Sequence, residues 1–295
     1  MRFLASDLDG TLVDFDDMIP ENLEGIRSLK EAGHKFIIST GRSYNAVKRL
    51  IKKYEIDFDY LVLCNGGLII NKDNETVYDE WISKELAEKI AKEYYNEDLA
   101  MMFIHNLDKS FLIKNPNISE EITSKVLNKF QQSTELINVD EANESYKIMS
   151  LVCLDKDCNR AEKIKDSIID KFGEDVQAFR NQYFIDIVPK GCSKGEALLR
   201  VLELEGESAD NLYVIGDSFN DVSMFNITKN SFTFNRAEEE VKGHASELVD
   251  YVYEVVNKMI WYLINVYIDK LVQINYYYGK LWIKYRMKNL REGAE

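Results

Sequence analysis

The chain has 295 residues, 45% hydrophobic and 30% charged, with a formal net charge of −14. These proportions describe a soluble globular chain with ample core, long enough for one large domain or two moderate ones. The acidic balance argues against a general nucleic-acid binder, because a phosphate backbone rewards basic surface.

The opening residues MRFLASD hold no long apolar run before charge appears, so no secretory leader is expected. No uninterrupted apolar stretch approaches the roughly 18 residues of a spanning helix. Cys64, Cys153, Cys158 and Cys192 show neither CxxC nor zinc-knuckle spacing, and a cytoplasmic protein with free thiols follows from that usage.

In chain order, RFLAS reads as a strand and gives out into DLDGT, with Asp7 and Asp9 one residue apart. Carboxylates that close repel each other unless a cation or a reaction uses them; a solvated Asp-Gly turn is the plain alternative. KFIIST, YLVLC, YFIDIV, NLYVIG and SFTF read as further strands, and amphipathic stretches near 21–32, 43–54, 195–205 and 236–246 as helices. This alternation predicts an α/β fold, a parallel sheet with helices on both faces, whose ligands sit beyond the carboxyl ends of the strands. Asp7 and Asp9, Ser39 to Gly41, Asn65 to Gly67 and Gly216 to Asp221 all follow predicted strands, so four polar clusters are expected at one edge.

Residues from about 80 to 185 mix helical patterns (SKELAEKIAKEYYNE, SEEITSKVLNKF, NRAEKIKDSIIDKF) with strand-like ones (AMMFIH, SFLIK, YKIMSLVCL), which predicts an inserted α+β domain. Residues 258–295 hold seven Lys or Arg against three Asp or Glu, with apolar residues near helical spacing. They read as an amphipathic helical tail docked on the body or on a second subunit, with an anionic membrane surface as the alternative contact.

The chemistry suggested by these residues is phosphoryl transfer. Asp7 is a candidate nucleophile, since a carboxylate can attack phosphorus and split one hydrolysis into two steps. Asp9 is placed to protonate a leaving oxygen and then deprotonate water. Gly10 lets the backbone turn tightly so that amides face the transferring group. Carboxylate and phosphate oxygens suit Mg2+. Thr40 and Gly41 could hold a phosphate oxygen, although Thr40 alone also fits a helix N-cap. Lys194 opens a helix at the end its dipole disfavours for a cation, unless anions lie nearby. Asp217 is a good Mg2+ ligand, Asn220 a donor and Asp221 a supporting carboxylate; an Asx-rich loop is the plain alternative. No GxGxxG or GxxxxGK[ST] follows a predicted strand, which disfavours dehydrogenases and P-loop enzymes.

DLDGT, TGR, SKG followed by ALL, and GDSFNDVSM in this order resemble the haloacid dehalogenase superfamily, more narrowly its Cof-type phosphatases with a type-IIB cap. LCNGGLII and FTFNRAEEEVKGHA also resemble that family's turn into the cap and its last βα unit, so the likeness covers residues 1 to about 257. It implies a Rossmann-like core at 1–79 and 186–257, a cap at 80–185 and an extra tail at 258–295. It implies Asp7 as nucleophile and metal ligand, and Asp9 as acid/base lending its backbone carbonyl to Mg2+. Thr40 and Lys194 would bind the phosphoryl group, Asp217 would ligate the metal and Asp221 would support it. Asn220 would orient phosphate or Lys194, and Arg180 in AFRNQYF would reach the leaving group from the cap. The polar ITKNSFTFNRA loop and the basic tail depart from the family pattern, which bears on assembly rather than chemistry. The expected activity is a Mg2+-dependent phosphatase of small phosphate monoesters such as sugar, nucleotide or vitamin phosphates, working through an aspartyl-phosphate. A phosphosugar mutase and a non-catalytic phosphometabolite sensor are the alternatives.

Overall fold

The computed structural model describes residues 1–14, 17–106, 109–130 and 134–260. The chain begins with β1 (Phe3–Ser6), α1 (Pro20–Glu31), β2 (Lys35–Ser39), α2 (Tyr44–Tyr54) and β3 (Tyr60–Leu63), then folds back through β4 (Leu68–Asn71) and β5 (Thr76–Asp79). It continues through α3 (Lys84–Tyr94), β6 (Ala100–His105), β7 (Ser110–Ile113), α4 (Glu120–Phe130), β8 (Thr134–Ile137), β9 (Ile148–Cys153), α5 (Cys158–Phe172), β10 (Val176–Asn181) and β11 (Phe184–Pro189). It returns with α6 (Lys194–Glu205), β12 (Leu212–Ile215), α7 (Val222–Phe225), β13 (Asn230–Phe234), α8 (Glu239–Lys242) and β14 (Glu247–Val249).

These strands form two sheets. The first has eight strands in the order β14-β13-β12-β1-β2-β3-β4-β5, parallel from β14 to β3 and antiparallel at its β4 and β5 edge. The second has six strands in the order β10-β11-β9-β6-β7-β8, with only β7 and β8 parallel.

Alternation along the central strands explains why helices cover both faces of the first sheet. Leu4, Phe36, Ile38, Leu61 and Leu63 pack with Ile26 and Leu29 of α1, Val47 and Leu50 of α2, and Val252, Val255, Val256 and Met259 from the helical residues 252–260. Phe3, Ala5, Ile37 and Val62 pack on the other side with Ala197, Leu198, Val201 and Leu202 of α6, Met224 and Phe225 of α7, and Val241 of α8. The second sheet has its own core, in which Ala87, Ile90 and Ala91 of α3 and Ala161, Ile164 and Ile168 of α5 meet Met102, Ile104, Met149, Leu151 and Ile185.

Three expectations change. YFIDIV pairs antiparallel with β9 and β10 over Phe184–Pro189, so the second sheet runs past the expected boundary at 185 and 186; a buried apolar strand does not announce which sheet it joins. The helix expected over 236–246 shortens to Glu239–Lys242, where Gly243 follows at once. β8 and β10 are strands the sequence pattern did not single out. The helical tail expected at 258–295 lies, from residue 261, outside the described residues. Among the described residues, no helix is long and apolar enough to cross a membrane.

Candidate active site

β1 lies between β12 and β2, so the chain leaves toward opposite sides from neighbouring strand ends. That reversal opens the crevice in which such sheets bind ligands. Asp7 stands at the end of β1, its amide donating to Ile215 O on β12 at 2.9 Å. Thr40 follows β2, with its amide on Val62 O at 2.8 Å. Lys194 is the first residue of α6, whose N-cap Ser193 accepts from Glu196 N at 3.0 Å. Asp217 and Asp221 follow β12.

Lys194 is fully buried, and its Nζ donates to Asp7 Oδ1 and Asp221 Oδ1, both at 2.6 Å. Burial opposes its charge, but Asp221 and Asp7 outweigh it and raise the lysine pKa. Asp221 turns its other oxygen to the backbone amides of Asp217 and Ser218, at 2.9 and 3.0 Å. It therefore ties the lysine to the loop that carries Asp217. Asp217 accepts from Thr11 Oγ1 at 2.8 Å. Gly10 has φ +75°, and a Cβ there would lie 2.6 Å from Asp217 Oδ2, so only glycine fits both the turn and the approach.

One oxygen from each of Asp7, Asp217 and Asp221 lies within 4.8 Å of the others. Among the described residues these three carboxylates face the ammonium of Lys194, with Arg236 also favouring the charged form of Asp217. Burial, and then repulsion from Asp221, push the Asp217 pKa up to about 6. Burial raises Asp7 well above the usual carboxylate range, Lys194 opposes, and Asp221, Asp217 and Asp9 add to the rise. A surplus of buried negative charge on hard oxygen donors is the environment that a hard divalent cation such as Mg2+ relieves, so the donor set fits that ion.

Asp9 lies outside this cluster. Its carboxylate is held from both sides by Arg42, Nε to Oδ2 at 2.7 Å and an η nitrogen to Oδ1 at 2.5 Å. The Thr40 hydroxyl oxygen accepts from Arg42 N at 3.2 Å, which leaves its O–H to donate. Thr40, Gly41 and Asn220 meet around Asn65: Asn65 N donates to Thr40 O at 3.0 Å, and Asn220 Nδ2 donates to Asn65 Oδ1 at 3.3 Å. Arg180 stands at the edge of the second sheet. It donates to Glu162 at 3.0 Å, to Gln182 O at 3.1 Å and to Glu238 at 3.1 Å, over the Phe219 ring at 4.3 Å. Asn181 beside it accepts from Ser218 Oγ at 2.8 Å. The β10 end of the second sheet is thus fastened to the loop that follows Asp217.

The roles of Arg42 and Asp186 escaped the sequence reading. Asp186 is buried in β11, accepting from Ser150 Oγ at 2.6 Å and from Asn65 Nδ2 at 2.8 Å. Burial raises its pKa, although Ser150, Asn65 and Lys194 pull the other way. A carboxylate between two isoleucines in a strand otherwise apolar was the available signal, because such a residue is rarely buried without a partner.

The pyridoxal phosphate phosphatase YbhA of Escherichia coli (strain K12) is 24% identical over 259 residues, covering 84% of this chain and 93% of that protein. The 5-amino-6-(5-phospho-D-ribitylamino)uracil phosphatase YwtE of Bacillus subtilis (strain 168) is 26% identical over 264 residues, covering 82% of this chain and 90% of its own. Two solved structures share the fold. SMU.1108c from Streptococcus mutans UA159 matches with TM-score 0.76 and 24% identity, over 88% of this chain and 98% of that one. The haloacid dehalogenase subclass IIB sugar phosphatase BT4131 matches with TM-score 0.73 and 18% identity, over 90% of this chain and 100% of that one. The family described as haloacid dehalogenase-like hydrolase matches residues 4–259, and the chain belongs to it.

Proposed function

We propose that the chain is a Mg2+-dependent phosphatase of small phosphate monoesters, in which the first sheet forms the catalytic core and the second a cap above it. The observation that carries this reading is the cluster of buried Asp7, Lys194 and Asp221 with half-buried Asp217, where three carboxylates face one ammonium. The phosphatase names of YwtE, YbhA and BT4131 support the class of substrate, each acting on a different small phosphate ester or sugar phosphate.

Asp7, Asp217 and, in support, Asp221 would hold the cation, which supplies screening between the attacking carboxylate and the phosphate dianion. Asp7 attacks phosphorus to form an aspartyl-phosphate, and Asp9 gives a proton to the departing oxygen. Asp9 then takes a proton from the water that hydrolyses the acyl phosphate. Arg42 holds Asp9 from both sides, so reaching the leaving group requires Asp9 to exchange that pairing. Lys194, the Thr40 hydroxyl and the Gly41 amide neutralise and hold the phosphoryl oxygens. Lys194 already bonds Asp7, so a single cation positions the nucleophile and receives the charge of its target.

The test is release of inorganic phosphate from a panel of phosphate esters, with Mg2+ and with EDTA, by the wild type and Asp7→Asn. Metal-dependent release that drops by more than about a thousandfold in the variant supports the reading. Near-normal turnover by folded Asp7→Asn overturns the nucleophile. A requirement for a sugar bisphosphate activator would instead indicate a mutase.

A further inference from the structure

The turn after β3 has an unusual backbone: Cys64, Asn65 and Gly66 take φ values of 51°, 49° and 96° in succession. A Cβ on Gly66 would lie 2.2 Å from Ser193 O, so the turn is wedged against the residue that precedes Lys194. This conformation sends the Asn65 side chain inward, where it is 1% exposed. A Cβ on Gly41 would lie 3.3 Å from both polar atoms of that amide and 3.0 Å from Asp186 Oδ2. Asn65 therefore touches the loop after β2, the loop after β12 through Asn220, and the second sheet through Asp186.

The chain of bonds has a fixed polarity. Both oxygens of Asp186 accept, one from Ser150 and one from Asn65, so Asn65 must turn its nitrogen toward Asp186 and its oxygen toward Asn220. Asn220 must then give its nitrogen back to Asn65, which leaves Asn220 Oδ1 as the free end. That oxygen is buried and has no hydrogen-bond partner among the described residues, a costly state for an acceptor. It addresses a donor, the class to which the Lys194 ammonium belongs and a phosphate oxygen does not. Lys194 has three N–H groups and gives two of them to Asp7 and Asp221.

We propose that Asn65 is a positioning residue of the phosphoryl-transfer site, with its amide polarity set by Asp186, and that it holds Asn220 with the oxygen presented to a donor. The inference rests on the phosphatase reading and extends it. Asp186 and Ser150 belong to the second sheet, so the same chain registers the cap against the phosphate-binding loops. Neither residue touches substrate; both act through Asn220.

The experiment compares wild type, Asn65→Gly, Asp186→Ala and the double variant. Glycine removes the amide while accepting φ 49°, so the backbone turn survives. Expected are a loss in kcat of about tenfold to a hundredfold for Asn65→Gly, the size of a hydrogen bond to a charged site, a KM within about threefold of wild type, and a similar loss for Asp186→Ala. The double variant should be no slower than the slower single variant, because Asp186 has nothing to orient once the amide is gone. Additive losses, wild-type rates in the single variants, or a defect confined to KM would overturn the proposal. If Asn65→Gly does not fold, Asp186→Asn replaces it. Its amide offers a donor nitrogen on one side and an acceptor oxygen on the other, leaves the polarity undetermined, and should reduce kcat less than Asp186→Ala; a wild-type rate would count against the relay.

Calorimetric binding of inorganic phosphate to the same proteins separates the two readings. A wild type that binds phosphate but hydrolyses no ester retires the phosphatase reading, and a non-additive loss of affinity in the variants for orthovanadate, a mimic of the transferring phosphoryl group, with phosphate affinity within about threefold, keeps the Asn65 relay. A wild type that neither binds nor hydrolyses retires both.

Discussion

The floor of the site and the sheet above it solve opposite problems. On the floor, Asp7, Lys194, Asp217 and Asp221 crowd charge into a buried space, and each side chain is fixed by backbone one or two residues from a strand end or a helix start. On the second sheet, the face that carries Asp186 is apolar along most of β9 and β11, while Gln177 and Asn181 of β10 add polar groups to it. Along β9, Ile148 joins the core of the first sheet and Val152 a separate apolar cluster; along β11, Val188 and Phe184 do the same. Between them lies one polar pair, Ser150 opposite Asp186. Under the proposed phosphatase reading, charge density on the floor would carry the chemistry at a cost in stability, and the polar groups above would set position.

The sharpest way to break this contrast is Lys194→Met. It removes the ammonium that bridges Asp7 and Asp221 and leaves both carboxylates buried. Breaking a buried pair in this way costs about 3–5 kcal/mol, so urea denaturation in EDTA should show a large fall in midpoint, beyond that of Asp186→Ala or Arg180→Ala in the second sheet. Gly10→Ala comes next. A methyl group there would press on the Asp217 carboxylate, 2.6 Å away, and displace it, and the left-handed conformation at φ +75° alone costs an alanine about 1–2 kcal/mol. Turnover should fall at least about tenfold while the second sheet, read by hydrogen exchange, stays protected as in the wild type.

The floor was legible because its residues are local to strand ends: Asp7, Thr40, Lys194, Asp217 and Asp221 each sit where a predicted strand or helix meets a loop. The polarity above was not legible, because it depends on which strand β11 pairs with. Asp186 finds Ser150 only through the antiparallel register of β11 with β9, and long-range pairing leaves no mark at one position in the chain. Arg42 was visible in TGR, yet its grip on Asp9 depends on how the loops after β1 and β2 face each other. A periodicity reading carries no information on that.

The charge surplus also predicts a pH effect of the same order as the glycine change. Burial raises Asp217 from 3.8 to about 6, so its ionisation is harder in the folded chain than in the unfolded one. The stability associated with its protonated form is present below the unfolded value and is lost as pH rises through about 6, by roughly 1–3 kcal/mol. Asp7 is raised as well and adds to the same trend. In EDTA, the melting temperature should therefore fall from about pH 4 to pH 7 on account of these groups. Under the proposed reading Mg2+ would bind the ionised carboxylates, so its stabilisation should be larger at about pH 7.5 than at pH 5. Equal stabilisation at both values would show that the cluster does not carry the metal effect.

The smallest expected effect distinguishes a fastening from a substrate contact. Arg180 is itself buried, but its partners Glu162 and Glu238 are nearly half exposed, at 45% and 44% of their side-chain area. Solvent screens those pairs. Arg180→Ala should therefore cost about 1 kcal/mol, much of it from the lost stacking over Phe219. Its kinetic signature is more informative than its stability. If Arg180 only fastens the second sheet to the loop after Asp217, every ester in a panel should lose kcat/KM by one common factor, since closure is shared by all of them. If its guanidinium leaves Glu238 to meet the leaving group, the loss should rise with the negative charge of that group and nearly vanish for a neutral one. The three side-chain and backbone acceptors that hold it here favour the common factor, because a substrate would have to replace two carboxylates and a carbonyl at once.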